Sequence, residues 1–543
     1  MIVVFSVICF LLIQCQASDL IVQIKDGKVQ GATYSTPRGV VFYSWRGIPF
    51  AKPPIGDLRF MPPQKNEPWN GILNATVNGP VCIFNTGNDK PSNGISEDCL
   101  TVNVYSPRST DHKYNSSLPV MFWIYGGSYA SGSGDFNYYD PTPLVQEGVI
   151  VVTFNYRLGS FGFLSTKDTV ISGNAGLKDQ LLALKWTKNN IGYFGGNPDN
   201  ITIFGESAGG RSVGFHLISP KSKGLFNAAI MQSANALSYF YTNNLKDVAY
   251  KLAKKFDTSV TSSSSSTDVK KVLQAVPTDD LYQAARNYTF GPLREVQSDD
   301  AFISDPFYEL IASGNSTKVP LLLGHNLEEG LSFFGSLDAV KTSAANYDAH
   351  LKLVVPSMLL KNGSDAVKIG EEIRAEYVGG SGNFSDNLGK FMKWVSDKKY
   401  VRSTYKTVIL ESQFVPVYMY EFVFYGTGSE GHVVVPGAGD IGHGDELVYL
   451  FNMSRHLKTD EDYLTRSRLV KLWTNFAKTH NPTPDDDASG VLQNVKWERA
   501  LPDKVQYLEI GDNLTMKLND RKNLTIFWDY IWNTYSYHPY NTF

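Results

Sequence analysis

The sequence has little cysteine and almost no net charge. Only 4 of its 543 residues are cysteine, and 50 basic against 53 acidic side chains leave a formal net charge of −3. Because no long basic run is present, the composition argues against a nucleic-acid-binding protein. The apolar content of 42% and the charged content of 19% are ordinary for a globular protein that buries a large core.

The sequence also lacks an apolar C-terminal tail and an ER-retention tetrapeptide. Its N-terminal segment, Met1–Ala17, has an apolar core from Ile2 to Ile13 and a small residue at Ala17, although no Lys or Arg precedes the core. This run is too short to span a membrane comfortably and is typical of a cleaved signal peptide. We therefore predict that residues 1–17 are removed, and that residues 18–543 are secreted without a membrane anchor.

Removal of this segment leaves two cysteines, Cys82 and Cys99, which we expect to form one disulfide in a secreted protein. Secretion also makes the ten Asn-X-Ser/Thr sequons relevant, and Asn200 is a doubtful site because it begins an apolar run. The sequons predicted to carry glycans are Asn74, Asn115, Asn287, Asn315, Asn362, Asn383, Asn452, Asn513 and Asn523.

Apolar runs of β type alternate with helical stretches along the chain. The segment 176–193 has apolar residues at helical spacing, and the runs between such stretches are continuous rather than alternating. This order predicts an α/β fold with a sheet that is covered on both faces. The predicted strands are 119–125, 149–156, 201–204, 227–232, 319–323 and 415–424.

One of these runs leads directly into a Gly-X-Ser-X-Gly motif that is centred on Ser207. Such a motif after a strand is typical of a nucleophile elbow, in which a sharp strand-to-helix turn exposes the serine. A second copy of the motif, centred on Ser212, follows no strand and is predicted to lie on the next helix. We therefore expect Ser207 to be the nucleophile.

A serine nucleophile needs N–H donors for the oxyanion, a base and an acid, and where the serine lies on a nucleophile elbow the acid and then the histidine follow it in the chain. The small residues after the predicted strand 119–125 offer the backbone N–H groups of Gly127 and Ser128, and Ala208 follows the serine. Two carboxylates, Glu328 and Glu329, come directly after another strand. The local pattern does not separate these two glutamates.

The base should be a histidine beyond these carboxylates, and six histidines qualify. His443 lies in a glycine-flanked loop before an apolar stretch, which is a suitable place for a catalytic group. His432 lies in a similar loop and is the main alternative.

Several further motifs make the chain resemble the type-B carboxylesterases, the family that includes cholinesterases and insect esterases. The likeness covers nearly the whole of the chain after the N-terminal segment. The motifs that carry it are Gly47–Ala51 with Pro53 and Pro54, Ser96–Leu100, Asn155–Gly159, Gly173–Gln180 and Phe204–Gly210.

The resemblance implies an α/β-hydrolase fold in a single domain, with a large, mostly parallel central sheet and helices on both faces. It selects Glu329 as the acid and His443 as the base, and it implies supporting roles for Glu206 and Ser233. The pair Cys82–Cys99 is similar to the first disulfide of the family. No metal or cofactor is implied.

Three features depart from the family pattern. Ser128 replaces the third glycine of the oxyanion loop, and Arg211 stands where a small residue is usual. The loop between Cys82 and Cys99 contains no Trp, whereas cholinesterases place there the ring that holds a quaternary amine.

The resemblance predicts a secreted serine carboxylesterase that acts on small-molecule esters, with the oligomeric state left open. One alternative is a hormone- or odorant-degrading esterase of narrow specificity, although juvenile hormone esterases usually carry glutamine at the position of Glu206. Another is a non-catalytic, cholinesterase-like adhesion protein, but such relatives lose the serine or the histidine.

Overall fold

The computed structural model describes residues 20–36, 39–85, 91, 93–109, 117–356, 359–361, 365–519, 521–540 and 542–543. The predicted signal peptide and two of the predicted glycosylation sites, Asn115 and Asn362, lie outside these residues.

The described residues form fourteen strands in two sheets. The strands are β1 Ile21–Ile24, β2 Gly27–Gln30, β3 Ala32–Ser35, β4 Val41–Pro49, β5 Ile72–Asn74, β6 Thr101–Ser106, β7 Leu118–Ile124, β8 Ile150–Phe154, β9 Gly196–Glu206, β10 Ala228–Gln232, β11 Leu321–Asn326, β12 Val417–Phe422, β13 Gln506–Ile510 and β14 Leu514–Leu518. Six of them, β7 to β12, correspond to the six strands predicted from the apolar runs.

Eleven strands form the large sheet in the order β14-β13-β12-β11-β10-β9-β7-β8-β6-β4-β3. The seven strands from β13 to β8 in this order are parallel, and antiparallel pairs complete both edges. The small sheet has the order β1-β2-β5. The prediction of a large, mostly parallel sheet is therefore confirmed.

Fifteen α-helices surround the sheet in the described part of the chain. They are α1 Thr142–Gln146, α2 Gly159–Phe163, α3 Ala175–Asn190, α4 Ala208–Ile218, α5 Leu245–Phe256, α6 Ser266–Ala275, α7 Thr278–Ala285, α8 Phe307–Ala312, α9 Leu337–Ala349, α10 Ala366–Val378, α11 Leu388–Ser396, α12 Arg402–Glu411, α13 Leu447–Leu450, α14 Asp460–Thr479 and α15 Lys522–Tyr535. None of these helices has the length and apolar character that a membrane span requires.

The centre of the sheet is covered on both sides. Every residue from Ile201 to Glu206 in β9 is buried, so the side chains that alternate between the two faces all lie in the core. Both α4 and α14 pack against β7 and β9. Continuous apolar strands are the pattern that such coverage requires.

The parallel strands end at one edge of the sheet, and this places several predicted site residues together. Ser207 follows β9, Ser233 follows β10, and Gly126 comes two residues after β7. Glu329 lies three residues beyond the end of β11. In open α/β sheets, binding sites form in crevices outside the carboxyl ends of the strands.

The seven predicted sequons within the described residues differ in accessibility. Asn383 and Asn452 are half-buried. The Asn452 amide donates to Asp140 (3.2 Å) and accepts from Arg466 (2.6 Å). The exposed sequons are Asn74, Asn287, Asn315, Asn513 and Asn523.

Cys82 and Cys99 form a disulfide, with their Cα atoms 5.0 Å apart. The bond closes a loop with a sequence separation of 17. We predict that replacing both cysteines with alanine lowers the free energy of unfolding by about 3 kcal/mol, because the unfolded chain gains loop entropy. Denaturant titration of the two proteins checks this value, and identical midpoints would contradict it.

Candidate active site

Ser207 lies on a strained turn between β9 and α4. Its backbone angles are φ 57° and ψ −123°, which side-chain-bearing residues rarely adopt. A Cβ on Gly205 would lie 2.6 Å from the carbonyl carbon of Gly209, and one on Gly209 would clash with the carbonyl of Ile124. The turn is therefore possible only with glycine two residues before and two residues after Ser207.

Ser212, the centre of the second motif, lies one turn into α4. Its hydroxyl donates to the Ala208 carbonyl (2.8 Å) and accepts from the Gln180 amide (3.1 Å). The side chain is fully buried. The hydroxyl of Ser212 therefore joins α4 to α3. As predicted, Ser212 lies on the helix that follows the elbow.

The two candidate acids point in different directions. Glu329 Oε2 lies 2.5 Å from Nδ1 of His443, and its Oε1 accepts the backbone N–H of Asn326 (2.8 Å). Glu328 instead accepts the Ser396 hydroxyl (2.6 Å). The structure therefore pairs Glu329, and not Glu328, with a histidine.

The two candidate histidines are also separated by their partners. His432 Nε2 lies 2.8 Å from Asp445 Oδ1, and within the described residues no hydrogen bond joins His432 to either glutamate. Asp445 also accepts the backbone N–H of Gly442 (2.7 Å), so the pair His432–Asp445 braces the loop that carries His443. The contacts of His432 stabilise a loop, whereas His443 is paired with a glutamate in the way that a catalytic base is paired with its acid.

His443 also faces a second carboxylate. Its Nε2 lies 3.1 Å from Oε1 of Glu206, the residue before Ser207. This nitrogen has no hydrogen-bond partner among the described residues. Glu329 contacts Nδ1 of His443, and Nε2 is therefore the nitrogen that is available to exchange a proton beside the elbow.

Tyr400 links His443 to Ser207. The two rings of Tyr400 and His443 stack, with centroids 4.4 Å apart and an interplanar angle of 17°. Burial and the Glu329 and Glu206 charges raise the pKa of Tyr400 well above its ordinary value. A hydrogen bond between the Tyr400 and Ser207 side chains lowers that pKa in part. Ser207, Tyr400 and His443 therefore share one buried site.

The loop after β7 runs beside Ser207 in a left-handed conformation. The φ angles are 98° at Gly127, 56° at Ser128 and 58° at Tyr129. A Cβ on Gly126 would lie 3.0 Å from the Cβ of Ser207. Within the described residues, no backbone hydrogen bond uses the N–H of Gly127 or Ser128, so both remain available as donors.

The chain is similar to known proteins over most of its length. The family model described as "Carboxylesterase family" matches residues 18–528. Juvenile hormone esterase of Tribolium castaneum is 34% identical over 532 residues, which cover 91% of this chain and 88% of that protein. Esterase E4 of Myzus persicae is 32% identical over 543 residues and covers 95% and 96% of the two chains.

A match of this extent decides the family. The chain belongs to the carboxylesterase family. The solved structure of juvenile hormone esterase from Manduca sexta, with OTFP covalently attached, superposes with a TM-score of 0.82 at 28% identity. The match covers 94% of this chain and 99% of that one. The protein is a carboxylic ester hydrolase with the α/β-hydrolase fold.

The charges around His443 of this carboxylesterase are coupled. Burial lowers the pKa of His443, but the Glu206 and Glu329 carboxylates outweigh burial and raise it to about 9. Burial also raises the pKa of Glu206, to about 8. Protonation of Glu206 removes one of the charges that raise the pKa of His443, so the two groups titrate as a pair.

We predict that Glu206→Gln shifts the pH profile of the carboxylesterase. The base works only when His443 is neutral, so kcat/KM rises with pH through its pKa. Loss of the Glu206 charge lowers that pKa, and the rising limb should move down by about one pH unit. Initial rates from pH 5 to 10 measure the shift. Glu328→Gln is the control and should keep the wild-type profile. If the rising limb lies at the same pH in the wild type and in both variants, the coupling is refuted.

The sequence did not single out the network behind Glu329. Asn326 donates its side-chain N–H both to the Gly442 carbonyl and to Glu446 Oε2 (2.7 Å each), which ties the acid loop to the histidine loop. Glu446 Oε1 accepts from Gln232, which in turn accepts from Trp473 Nε1 (3.1 Å). The only local signal was that Asn326 and Glu446 stand three residues from Glu329 and His443.

Ser233 lies directly after β10 with a φ of 57°, and its backbone N–H donates to the Gly324 carbonyl (2.9 Å). Its buried hydroxyl has no hydrogen-bond partner in the described part of the chain. The structure therefore brings Ser233 to the edge of the site without joining it to the Glu329–His443 pair.

Two cavities open beside the elbow. One, of about 250 Å³, is lined by Ser207, Ala208, Arg211, Lys399 and Tyr400 among others. The other, of about 300 Å³, is lined mainly by residues of the loops near α2 and α7. Ser128 and Thr289 line both, so the two cavities meet beside the loop after β7.

Proposed function

We propose that the chain is a secreted serine carboxylesterase that works through an acyl-enzyme, with Ser207 as nucleophile, His443 as base and Glu329 as acid. The observation that carries the proposal is the geometry of His443. Its Nδ1 lies 2.5 Å from Glu329, while its Nε2 makes no hydrogen bond with a described residue and lies 3.1 Å from Glu206, the neighbour of Ser207 in the chain. Glu329 keeps the proton on Nδ1 and so leaves Nε2 as the acceptor.

In acylation, Nε2 of His443 takes the proton of the Ser207 hydroxyl as the oxygen attacks the ester carbonyl. The N–H groups of Gly127, Ser128 and Ala208 stabilise the resulting oxyanion, and one such donor is typically worth about 3–4 kcal/mol. His443 then gives its proton to the leaving alcohol, and the acyl group remains on Ser207.

In deacylation, His443 takes a proton from water, which attacks the acyl-enzyme carbonyl. The same N–H groups stabilise the second oxyanion, and His443 returns the proton to Ser207 as the acid leaves. Glu329 stabilises the imidazolium in both halves of the reaction. No step requires another group.

Covalent labelling tests the nucleophile. A fluorophosphonate should label the protein on one tryptic peptide, and tandem mass spectrometry should place the label on Ser207. Loss of ester hydrolysis should follow the extent of labelling. A label on Ser212, or full labelling with full activity, would refute the proposal. A protein that resists the label would instead support the adhesion alternative.

A second candidate is a hormone-degrading esterase of narrow specificity. It is favoured by the similarity to the juvenile hormone esterases of Tribolium castaneum and Manduca sexta. A panel that contains juvenile hormone and simple esters of varied acyl length decides between the two. A kcat/KM for juvenile hormone at least about 100-fold above every other ester would favour the narrow enzyme.

Secretion and the single-domain organisation belong to the same proposal. They are supported by the disulfide, which persists mainly in oxidising compartments, and by a family match that begins at residue 18. Expression of the full chain in insect cells tests secretion. The mature protein should appear in the medium with Ser18 as its first residue, and retention in the cells would contradict the prediction.

A further inference from the structure

Arg211 is a buried cation in the wall of the substrate cavity. It is only 7% exposed, and it lies on α4 one turn beyond Ser207, whose carbonyl accepts its backbone N–H (2.9 Å). Its guanidinium lies between two rings, 5.1 Å from the centroids of both Phe215 and Phe240. Burial lowers the pKa of the group, although arginine stays charged at neutral pH.

Among the described residues, this cation has no anionic partner. Nε and Nη1 of Arg211 make no hydrogen bond with any described residue, and no ion pair joins Arg211 to a described carboxylate. A buried charge without a partner is costly, and the stacking rings recover only part of that cost. Arg59 and Arg157, which are also buried, each pair with a carboxylate. The buried Arg402 instead stacks on Trp528 and Trp532 and donates from Nε to the Phe543 carbonyl (3.1 Å), so it does not face a cavity beside Ser207 as Arg211 does.

The cavity around Arg211 has the composition of an anion site. Ser207 and Arg211 line the same space of about 250 Å³, and Lys399 also faces it. Its described lining includes no aspartate or glutamate. The carboxylates of the site, Glu206 and Glu329, lie instead on the His443 side of the nucleophile. An incoming group in this cavity therefore meets cations and aromatic rings.

We propose that Arg211 binds an anionic group of the ester substrate, so that the preferred substrates are esters with a carboxylate near the scissile bond. This inference rests on the proposed function, because it takes the cavity beside Ser207 to be the substrate cavity. A carboxylate matches the planar guanidinium and pairs with it through two parallel hydrogen bonds. Lys399 adds a second, point-like cation.

The spacing limits the size of the substrate. Arg211 is one helical turn from Ser207, and a turn rises about 5.4 Å. A carboxylate at Arg211 is therefore a few methylene groups from a carbonyl at Ser207. Monomethyl glutarate carries its carboxylate at such a distance in the acyl half of the ester, and 3-(butyryloxy)propanoate carries one in the alcohol half.

The test compares each of these two esters with its carboxamide analogue, which has the same shape without the charge. For the wild-type enzyme we expect kcat/KM to be about 10- to 100-fold higher for at least one carboxylate ester, as for a hydrogen bond to a charged group. A preference for monomethyl glutarate shows that the acyl half of the substrate occupies this cavity, and a preference for 3-(butyryloxy)propanoate shows that the alcohol half does. No preference for either carboxylate would overturn the inference.

Variants then assign the preference to Arg211. Arg211→Met should remove it while methyl butyrate is still hydrolysed, and Arg211→Lys should keep part of it. Arg286→Gln is the matched control, because this exposed arginine lines only the neighbouring cavity. A preference that survives in Arg211→Met, or that is lost in Arg286→Gln, would place the anion site elsewhere.

Binding without turnover gives an independent measurement. Free glutarate should inhibit methyl butyrate hydrolysis competitively in the wild type and at least about tenfold more weakly in Arg211→Met. If the wild type hydrolyses no ester at all, the proposed function fails. If it hydrolyses neutral esters and binds no glutarate, only the role of Arg211 fails.

Discussion

Replacing Ser207 with alanine is expected to lower kcat for ester hydrolysis by about 10⁴- to 10⁶-fold, since removal of a serine nucleophile disables the whole constellation. The protein should still fold, because alanine is smaller and keeps the backbone of the elbow. The measurement is kcat on methyl butyrate, together with a thermal melt that shows an unchanged fold.

Ser212→Ala is the matched control for this change. It removes the other serine at the centre of a Gly-X-Ser-X-Gly motif, whose hydroxyl bonds to Ala208 and Gln180. We expect a stability loss of about 1 kcal/mol with activity retained. Substantial activity in Ser207→Ala, or its loss in a folded Ser212→Ala, would reverse the assignment of the two serines.

Replacing Glu329 with glutamine is expected to lower kcat by about 10⁴-fold. A glutamine amide facing Nδ1 of His443 donates a hydrogen bond, so the ring proton moves to Nε2. That nitrogen then cannot accept the proton of Ser207. Because the change conserves shape, kcat should fall much more than KM rises, and steady-state kinetics separate the two.

Glu328→Gln tests the neighbouring carboxylate. Glutamine can still accept the hydroxyl of Ser396, so we expect kcat within about threefold of the wild type. If Glu328→Gln were the more damaging of the two changes, the acid would have to be reassigned.

Most of the central sheet could be predicted from the sequence, because its strands are continuous apolar runs. The observed β7 to β12 all start or end within a few residues of the predicted segments. β3, β4, β6, β13 and β14 were not predicted. They lie toward the edges of the sheet, where β4 and β14 mix buried with exposed residues and β3 buries none, so their apolar pattern is weaker. β6 is buried throughout, but its sequence TVNVYS mixes polar with apolar residues and is not a continuous apolar run.

The site was predictable only where a motif or a family pattern existed. The local sequence does not distinguish Glu328 from Glu329, because only the backbone conformation decides which of the two adjacent side chains points toward His443. Tyr400 reaches His443 through a contact between distant segments, which leaves no mark on local periodicity. The family pattern gave Glu206 a supporting role but did not place its carboxylate beside Nε2 of His443. The environment of Arg211 likewise depends on Phe240, which lies 29 positions away in the chain.

The guanidinium between Phe215 and Phe240 also has a consequence for how this enzyme changes under selection. A buried charge that has no ion-pair partner in the described part of the chain lowers the stability of the empty enzyme, and natural proteins commonly accept such costs where function needs them. Libraries screened for heat resistance alone should therefore accumulate apolar replacements at position 211. Libraries that must also hydrolyse a carboxylate-bearing ester should retain the arginine and gain their stability elsewhere.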